Sequence, residues 1–542
     1  MSKRLGTHLT WCALWVVLLG ATCSALAQQK SENKGETDWP AYGNDPGGMR
    51  YSSLQQISHT NVMKLKVAWT FHTRDVSDGS NGRRRSGLET TPLLVDGVLY
   101  FTVPDNIWAV DARSGQMIWH FNKPSKQGLH IGHRGVAMYK GWLYFVTPDA
   151  HLISLNAKDG TVRWDVVIAD VNKGYWMTLA PLVVGNHVIV GVSGDFDNLT
   201  GYLRAIDPET GAERWQWNAT APVGTPNSST GGMTWMTGTY DPELNLIYWG
   251  TGNPTPVLSG SSRPGENPYT CSIVAINPDT GKLAWGFSVS PHDTHDWDAV
   301  ETPVLVDADF HGKPRKMVMQ SSRNGYFFVL DRTTGESLLT APYGPTNWAL
   351  GIDKQGRPIP NPEKEPARDG RLIAPDEGGM TNYRAPSFDP KTGLFIVDAH
   401  PSWSIYFAKP ADGNYGWAGA DYDLWGKGVI EAIDYQTGKI RWSHVVGRGG
   451  SGAGVLTTDS GLTFTGDAYG NVLALDTSNG KTLWHAGMGA PMQSSPITYE
   501  LDGRQYMMTS SGGVLFAWVL PESAAASIKV VSTLGLPRKD CF

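Results

Sequence analysis

The sequence predicts an all-β protein, an eight-bladed β-propeller with tryptophan-containing blade motifs. Two observations lead to this fold class: a short turn motif that recurs seven times, and a composition rich in glycine and aromatic residues. The chain has 542 residues, of which 63 are glycine, 22 tryptophan and 20 tyrosine. Such a composition favours many short strands joined by tight turns over long helices.

The recurring motif is an apolar strand, an Asp or Asn, two variable residues, a polar residue, a glycine, and a tryptophan four positions later. The seven copies lie at 111–115, 156–160, 207–211, 277–281, 331–335, 434–438 and 476–480. The tryptophans that follow are Trp119, Trp164, Trp215, Trp285, Trp442 and Trp484, and Leu339 takes this place in the fifth copy. Each copy is predicted to be a hairpin in which the Asp or Asn starts the turn and the glycine adopts a positive φ.

The spacing of the copies predicts a propeller. Successive motif glycines lie 45, 51, 70, 54, 103 and 42 residues apart, and units of about 40–50 residues built from short strands are typical of propeller blades. A turn signal at 388–393, inside the 103-residue interval, predicts one further blade and brings the count to eight. The strand around Trp69 is expected to complete the last blade beside 515–518.

A secretory signal peptide is predicted at 1–27, which leaves 28–542 as a single propeller domain. A positively charged start precedes an apolar stretch at 11–19, and the small-residue pattern at 25–27 is typical of a cleavage site. Cys23 is the alternative, as a lipidation site, but the residues before it match that signal poorly. No later segment has the ~18 apolar residues that a membrane span needs. We therefore expect a soluble periplasmic protein.

Charge and cysteine content exclude several classes of protein. The chain has 45 basic and 51 acidic residues, a net charge of −6, without the basic stretches of a nucleic-acid-binding protein. After cleavage only Cys271 and Cys541 remain. They provide no disulfide framework, and the sequence has no Cys-x-x-Cys-His haem attachment. Electrons handled by this chain would therefore leave to a separate carrier.

Four short segments carry candidate functional groups. The most unusual, 291–298, contains three Asp and two His, a composition that can hold a metal ion or supply a general base, although a solvated turn can have it too. Asn253 lies in Gly-Thr-Gly-Asn-Pro, which suits a fixed loop presenting an amide oxygen. Arg134 and Arg323 each stand beside a glycine turn, as an anionic ligand would require.

Together these segments resemble the pyrroloquinoline quinone (PQQ)-dependent alcohol dehydrogenases, the methanol dehydrogenase large-subunit superfamily. Asp-Trp-Pro-Ala-Tyr-Gly at 38–43, Arg-Tyr-Ser at 50–52 and the tryptophan-bearing turns are similar to that family over nearly all of the mature chain. The resemblance implies that Trp235 stacks on the quinone, that Asn253 binds a metal ion and that Asp296 is the catalytic base. It places the remaining polar positions around the cofactor at Glu89, Arg134, Thr178, Ser193 and Arg323.

The resemblance also implies the cofactors and the reaction. The cofactors would be PQQ, a planar quinone with three carboxylates, and Ca²⁺ or a lanthanide ion held by Asn253, Asp296 and Asp298. The cation would polarise a quinone carbonyl, and Asp296 would remove the hydroxyl proton of a small alcohol as hydride leaves its carbon. A soluble c-type cytochrome would then accept the electrons.

The sequence departs from the family pattern at three places. Phe196 replaces a metal-binding Glu, so Asp195 or Asp197 would have to reach the cation instead. Gly128-Leu129 replaces two adjacent cysteines that cover one quinone face in many members. Asp298 adds a carboxylate of the kind seen in lanthanide-dependent members.

Two other functions remain open on the sequence alone. The missing Glu and Cys pair also suit a degenerate, cofactor-free propeller that serves as a binding or assembly scaffold. The His and Asp residues at 291–298 would also suit a metal-dependent hydrolase.

Overall fold

The structure, a computed structural model, describes residues 38–74, 87–196, 198–222, 224–225, 227–409, 416–448 and 452–522. These residues form strands throughout, with only three short 3-10 helices, so the all-β prediction is confirmed. The predicted signal peptide at 1–27 lies outside the described residues, and the single-domain assignment stays a prediction. No helix in the described part of the chain is both long and apolar enough to cross a membrane.

The first twenty strands in chain order are β1 (Tyr51–Ser52), β2 (Lys66–His72), β3 (Leu93–Val95), β4 (Val98–Val103), β5 (Asn106–Asp111), β6 (Met117–Asn122), β7 (Ala137–Tyr139), β8 (Trp142–Val146), β9 (His151–Asn156), β10 (Val162–Val167), β11 (Leu182–Val184), β12 (His187–Gly191), β13 (Tyr202–Ile206), β14 (Glu213–Asn218), β15 (Thr230–Gly231), β16 (Thr239–Asp241), β17 (Leu246–Gly250), β18 (Pro254–Thr255), β19 (Ser272–Ile276) and β20 (Leu283–Ser288).

The later strands are β21 (Val304–Phe310), β22 (Lys313–Ser321), β23 (Tyr326–Asp331), β24 (Ser337–Pro342), β25 (Ala349–Ile352), β26 (Pro358–Pro360), β27 (Arg371–Ile373), β28 (Ser387–Asp389), β29 (Leu394–Ala399), β30 (Ser402–Ala408), β31 (Gly419–Gly426), β32 (Gly428–Asp434), β33 (Ile440–Gly447), β34 (Leu456–Thr458), β35 (Leu462–Gly466), β36 (Asn471–Asp476), β37 (Thr482–Gly487), β38 (Ile497–Leu501), β39 (Arg504–Ser511) and β40 (Val514–Val519). The 3-10 helices are Val62–Lys64, Val171–Lys173 and Pro362–Lys364.

Most strands of the described residues belong to eight sheets of four or five strands. In order around the ring, the sheets consist of β3–β6; β7–β10; β11–β14; β16, β17, β19 and β20; β21–β24; β28, β29, β32 and β33; β34–β37 together with β1; and β38–β40 together with β2. Neighbouring strands are antiparallel except β1 and β34, which are parallel. Buried apolar clusters join each sheet to the next, and one cluster joins the last two sheets to the first. The sheets therefore form a closed ring.

The recurring motif connects one sheet to the next. Its turn follows the third strand of a sheet, where the tryptophan of the preceding sheet donates an indole hydrogen bond to a backbone carbonyl. These bonds are Trp69 to Ala112 (3.1 Å), Trp119 to Ala157 (2.9 Å), Trp164 to Pro208 (3.2 Å), Trp215 to Pro278 (2.7 Å), Trp285 to Arg332 (3.1 Å) and Trp442 to Thr477 (2.9 Å). A Cβ on Gly115 would lie only 2.7 Å from the Trp69 ring, and the φ of Gly115 is +72°. The motif therefore requires glycine for contact with the ring as well as for the turn.

The ring closes as the sequence predicts, but the eighth sheet is not formed by the segment for which the sequence predicts an extra blade. β2 pairs with β40, with Trp69 opposite Ala517 and Phe71 opposite Leu515, so the predicted closure is confirmed. The predicted extra blade at 388–393 is wrong, because that turn joins β28 to β29 within the sheet that carries the motif at 434–438. The eighth sheet is β38–β40 with β2. The long interval contains two small sheets instead, β25–β26 and β27–β30–β31.

The segment at 38–52 runs along the first strands of the ring. Its backbone hydrogen-bonds to Leu94, Tyr240, Leu305, Phe388 and Thr457, in the first strands of five sheets. Arg50, only 1% exposed, donates to the carbonyl oxygens of Tyr42 at 2.6 Å, Pro496 at 3.1 Å and Val455 at 3.4 Å. This segment therefore ties together sheets that are far apart in sequence.

Candidate functional site

The predicted cofactor residues lie in loops that immediately precede the first strands of five sheets. Glu89 precedes β3, Arg134 precedes β7, Thr178 precedes β11, Trp235 precedes β16 and Asp298 precedes β21. The first strands of a closed ring surround its axis, so these loops bring side chains together from sheets that are distant in sequence. The contacts described below join all five loops, and Arg323, which follows β22, adds contacts to Asp296 and Asp298.

Asp293 shapes the segment that bears the predicted base. Its Oδ2 accepts backbone N–H bonds from His295 at 3.2 Å, Asp296 at 3.0 Å and Trp297 at 3.2 Å. Asp296 adopts the left-handed conformation, with φ of 69°, which this ring of hydrogen bonds supports. Asp293 therefore anchors the turn through Oδ2, while its buried Oδ1 has no hydrogen-bond partner among the described residues.

The two histidines of this segment are engaged away from the carboxylates. His295 Nε2 lies 2.9 Å from the carbonyl oxygen of Lys364, and its ring stacks on Trp297 with centroids 4.3 Å apart. Burial lowers the pKa of His295 to about 4. His292 Nδ1 lies 2.6 Å from the carbonyl oxygen of Gly265. The histidines and aspartates of 291–298 thus do not form the shared metal site that a hydrolase would need.

Arg323 lies among four carboxyl groups. Its Nη2 is 3.0 Å from Asp296 Oδ2, and its Nη1 is 3.0 Å from Asp298 Oδ2. Nη2 also donates to the backbone oxygen of Glu377 at 2.7 Å. Glu301 is the fourth group, and its two buried side-chain oxygens accept no hydrogen bond. One guanidinium cannot neutralise three buried carboxylates and the partly exposed Glu377, so this region is short of positive charge.

Burial changes the acidity of this group of residues. Desolvation raises the pKa of Asp296 well above its usual range, and the attraction of Arg323 offsets only part of that effect. The pKa of Asp298 is raised for the same reason. A carboxylate accepts a proton only while it is ionised, and the charge of Arg323 favours the ionised form of Asp296.

Asp298 links the predicted quinone-stacking residue to the predicted base. Its Oδ2 accepts a 2.8 Å hydrogen bond from the indole Nε1 of Trp235 in addition to the Arg323 contact. Its Oδ1 accepts a 2.6 Å bond from the backbone N–H of Asn253. The side-chain nitrogen of Asn253 donates to the carbonyl oxygen of Pro254 at 3.1 Å, which leaves its amide oxygen as an acceptor. The predicted metal, base and stacking residues therefore form one connected network.

Arg134 lies beside the same indole. Its guanidinium carbon is 5.4 Å from the ring centroid of Trp235 and 4.9 Å from that of Tyr383. Nη2 lies 3.2 Å from Glu89 Oε2, but Nε and Nη1 are buried and have no hydrogen-bond partner. Burial raises the pKa of Glu89, and Arg134 opposes that rise.

Thr178 and Ser193 lie in adjacent segments of the third sheet. Thr178 is buried, and its hydroxyl donates a long, 3.5 Å bond to the backbone oxygen of Trp235. Ser193 pairs through its backbone with Trp176, while its buried hydroxyl has no partner. The structure thus brings Thr178 against the Trp235 loop, and Ser193 offers a hydroxyl to a ligand.

The residues that depart from the family pattern are accommodated by packing. Phe196 packs against Gly174, where an added Cβ would lie 2.2 Å from its ring, and it joins the apolar cluster of the third sheet. Gly128 has a φ of +80°, and a Cβ there would lie 1.8 Å from the carbonyl oxygen of Pro148. A cysteine at 128 would therefore clash, in addition to being absent from the sequence. Asp197 lies outside the described residues.

The sequence analysis missed four residues near this site: Glu301, Glu377, Tyr383 and Arg384. One signal was available for Tyr383. Glu89, Thr178 and Tyr383 each stand three residues before a proline that directly precedes the first strand of a sheet. The same spacing in three sheets indicates the same position relative to the axis. No comparable signal exists for Glu377, which reaches Arg323 from a separate loop.

The buried residues fit a planar, multiply charged anion. The unpartnered donors of Arg134 and the unpartnered hydroxyl of Ser193 lie in loops that adjoin Trp235, and buried polar groups normally have partners. The candidate metal donors Asn253, Asp296 and Asp298 offer oxygen only, as hard cations prefer. No group of three or more His, Cys, Asp or Glu among the described residues is placed to hold a metal ion alone.

The chain was compared with known families and proteins. The family model "PQQ: Glucose/ethanol/alcohol dehydrogenase, beta-propeller domain" matches residues 39–345 and 425–507. The quinoprotein alcohol dehydrogenase PedH of Pseudomonas putida is 32% identical over 92% of this chain and 90% of its own. The lanthanide-dependent methanol dehydrogenase of Methylacidiphilum fumariolicum is 31% identical over 92% of this chain and 90% of its own.

A solved structure shows the same similarity to methanol dehydrogenases. A europium-containing methanol dehydrogenase superimposes with a TM-score of 0.82 at 28% identity, covering 90% of this chain and 99% of that one. The resemblance inferred from the sequence is thereby confirmed, together with the predicted enzyme class of alcohol oxidoreductase. The chain belongs to the β-propeller family of PQQ-dependent alcohol dehydrogenases.

Proposed function

We propose that the protein is a periplasmic PQQ-dependent dehydrogenase that oxidises small alcohols to aldehydes and passes the electrons to a separate soluble c-type cytochrome. The observation that carries this proposal is the network centred on Asp298. Asp298 accepts hydrogen bonds from Trp235, Asn253 and Arg323, and Arg323 also pairs with Asp296. An aromatic plane, an oxygen donor and a buried base are thus held in one arrangement.

Each residue of this arrangement has a role in alcohol oxidation. When bound, the quinone supplies a two-electron hydride acceptor that a cation makes more electrophilic. Trp235 holds the ring plane, because Asp298 fixes its indole nitrogen. Arg134 and Ser193 bind polar edges of the cofactor. Asp296 accepts the hydroxyl proton of the alcohol, and Arg323, 3.0 Å away, favours the ionised carboxylate that this step needs.

We propose Ca²⁺ or a lanthanide ion as the cation, bound through Asn253, Asp296 and Asp298. The excess of carboxylates around Arg323 supports a multivalent cation, because bound positive charge would relieve their mutual repulsion. The relative from Methylacidiphilum fumariolicum, named as lanthanide-dependent, is consistent with this proposal.

The finer architecture and the location belong to the same proposal. The eight closed sheets would be the eight blades of the propeller. The signal-peptide pattern at 1–27 supports export to the periplasm. The absence of a Cys-x-x-Cys-His sequence supports a separate cytochrome as the acceptor.

Reconstitution tests the proposed function. The purified protein is loaded with PQQ and a panel of Ca²⁺ and lanthanide ions and assayed with a dye acceptor across primary alcohols. We expect turnover that requires PQQ, and its loss in Asp296→Asn, because an amide retains an oxygen for the cation but cannot accept the proton. The control is Asp369→Asn, at a residue whose side chain is 78% exposed. Full turnover in Asp296→Asn would refute the base, and activity without PQQ would refute quinone chemistry.

A further inference from the structure

Arg384 brings a second guanidinium to the group around Arg134. Its guanidinium carbon lies 5.6 Å from the ring centroid of Tyr383, the same ring that Arg134 approaches at 4.9 Å. Burial raises the pKa of Glu89, and the charges of both arginines oppose that rise. Arg384 therefore reaches the predicted cofactor residues, although it comes from the sixth sheet of the ring and the sequence motifs do not include it.

Three buried donor atoms of these two arginines make no hydrogen bond within the described part of the protein. Arg384 Nε lies 3.2 Å from Asp398 Oδ2, but this contact lacks hydrogen-bond alignment, and the buried Nε has no other partner. Arg134 Nε and Nη1 are likewise buried without a partner. Three unpartnered guanidinium donors in one buried region indicate a ligand with several anionic oxygens.

We propose that Arg384 binds a carboxylate of the quinone cofactor alongside Arg134, as a third arginine of the cofactor site after Arg134 and Arg323. The ligand class is a planar quinone that carries several carboxylates, for which two guanidinium groups supply charge and paired donors. Tyr383 links the two arginines, because its ring lies within about 6 Å of both guanidinium groups: 4.9 Å from Arg134 and 5.6 Å from Arg384. This inference rests on the proposed function, since it assumes that the site binds PQQ.

The test measures PQQ affinity directly, without an activity assay. Cofactor-free wild type, Arg384→Gln and Arg384→Lys are titrated with PQQ by calorimetry in the presence of Ca²⁺. A second titration uses the trimethyl ester of PQQ, which keeps the ring system and lacks the negative charges. Arg441→Gln is the control, because Arg441 is 60% exposed and pairs only with Asp434 in a motif turn. Circular dichroism verifies that each variant is folded.

We expect Arg384→Gln to bind PQQ about tenfold more weakly than wild type and Arg384→Lys to recover part of the loss, because lysine retains the charge. Affinity for the ester should change little. The double variant Arg384→Gln/Asp398→Asn also removes the negative charge that faces Arg384 at 3.2 Å, so its PQQ binding should remain weak if Arg384 contacts the cofactor.

Two results overturn the inference. One is that Arg384→Gln binds PQQ with the same affinity as wild type and Arg441→Gln. The other is full recovery of affinity in the double variant, which would mean that Arg384 serves only to neutralise Asp398. Failure of wild type to bind PQQ at all would instead refute the proposed function. If Arg384→Gln does not fold, the double variant and Arg384→Lys replace it. The quantity compared with wild type is then the ratio of the affinity for PQQ to the affinity for its ester.

Discussion

Asp298→Ala tests whether Asp298 holds the site together. The change removes the acceptor of three hydrogen bonds, from Trp235 Nε1 at 2.8 Å, Asn253 N at 2.6 Å and Arg323 Nη1 at 3.0 Å. The bonds from the two neutral donors contribute roughly 1 kcal/mol each, and the bond from the charged Arg323 about 1.5–3 kcal/mol. The loss of one carboxylate also relieves part of the repulsion with Asp296, so the free energy of unfolding should fall by at most about 4 kcal/mol.

The assay is denaturant unfolding of the protein without added cofactor, followed by tryptophan fluorescence. Asp298→Asn keeps one acceptor oxygen, so its loss should be smaller, roughly 2 kcal/mol. Asp369→Ala breaks an exposed ion pair with Arg371 and should change stability by less than about 1 kcal/mol. The reasoning is refuted if Asp298→Ala is as stable as this exposed control.

Three further predictions concern the cofactor, the metal and the ring. Trp235→Ala should weaken PQQ binding by on the order of 1 kcal/mol beyond the lost contact area, measured by calorimetry, whereas the exposed Trp425→Ala should bind normally. In reconstituted enzyme, Asp298→Ala should reduce activity with La³⁺ more than with Ca²⁺, because each carboxylate adds more binding energy for a trivalent ion. An equal loss of activity with both ions would mean that Asp298 only positions its neighbours. Arg50→Met leaves three carbonyl oxygens without their donor and should lower stability by about 3 kcal/mol in denaturant unfolding. An unchanged midpoint would mean that the segment at 38–52 contributes little to the ring.

The repeated motif made the fold predictable because its chemistry is local. A turn residue, a glycine and a tryptophan at fixed spacing recur in each unit, and the pairing of Trp69 with the last sheet follows from the need to close a ring. The error at 388–393 has a local cause as well. An Asp-to-Gly turn has the same sequence whether it joins the first two strands of a sheet or the last two, so spacing alone could not separate them.

The site was predictable where single residues carry the family pattern and unpredictable where contacts are long-range. Trp235, Asn253 and Asp296 are found in one network, as the resemblance implies. The anchoring role of Asp293 depends on three backbone groups in one tight turn, which composition does not indicate. Glu377 comes from a loop outside the recurring motifs, so only the folded chain places it beside Arg323.

Calorimetric titration of the cofactor-free protein with PQQ, in the presence of Ca²⁺ or La³⁺, tests the central claim most directly. The network of Asp298 with Trp235 and Arg323, together with the unpartnered donors of Arg134, predicts saturable binding of one PQQ per chain with at least one of the two cations. Absence of binding with both cations would contradict a quinone-dependent function and would favour a scaffold role for the propeller.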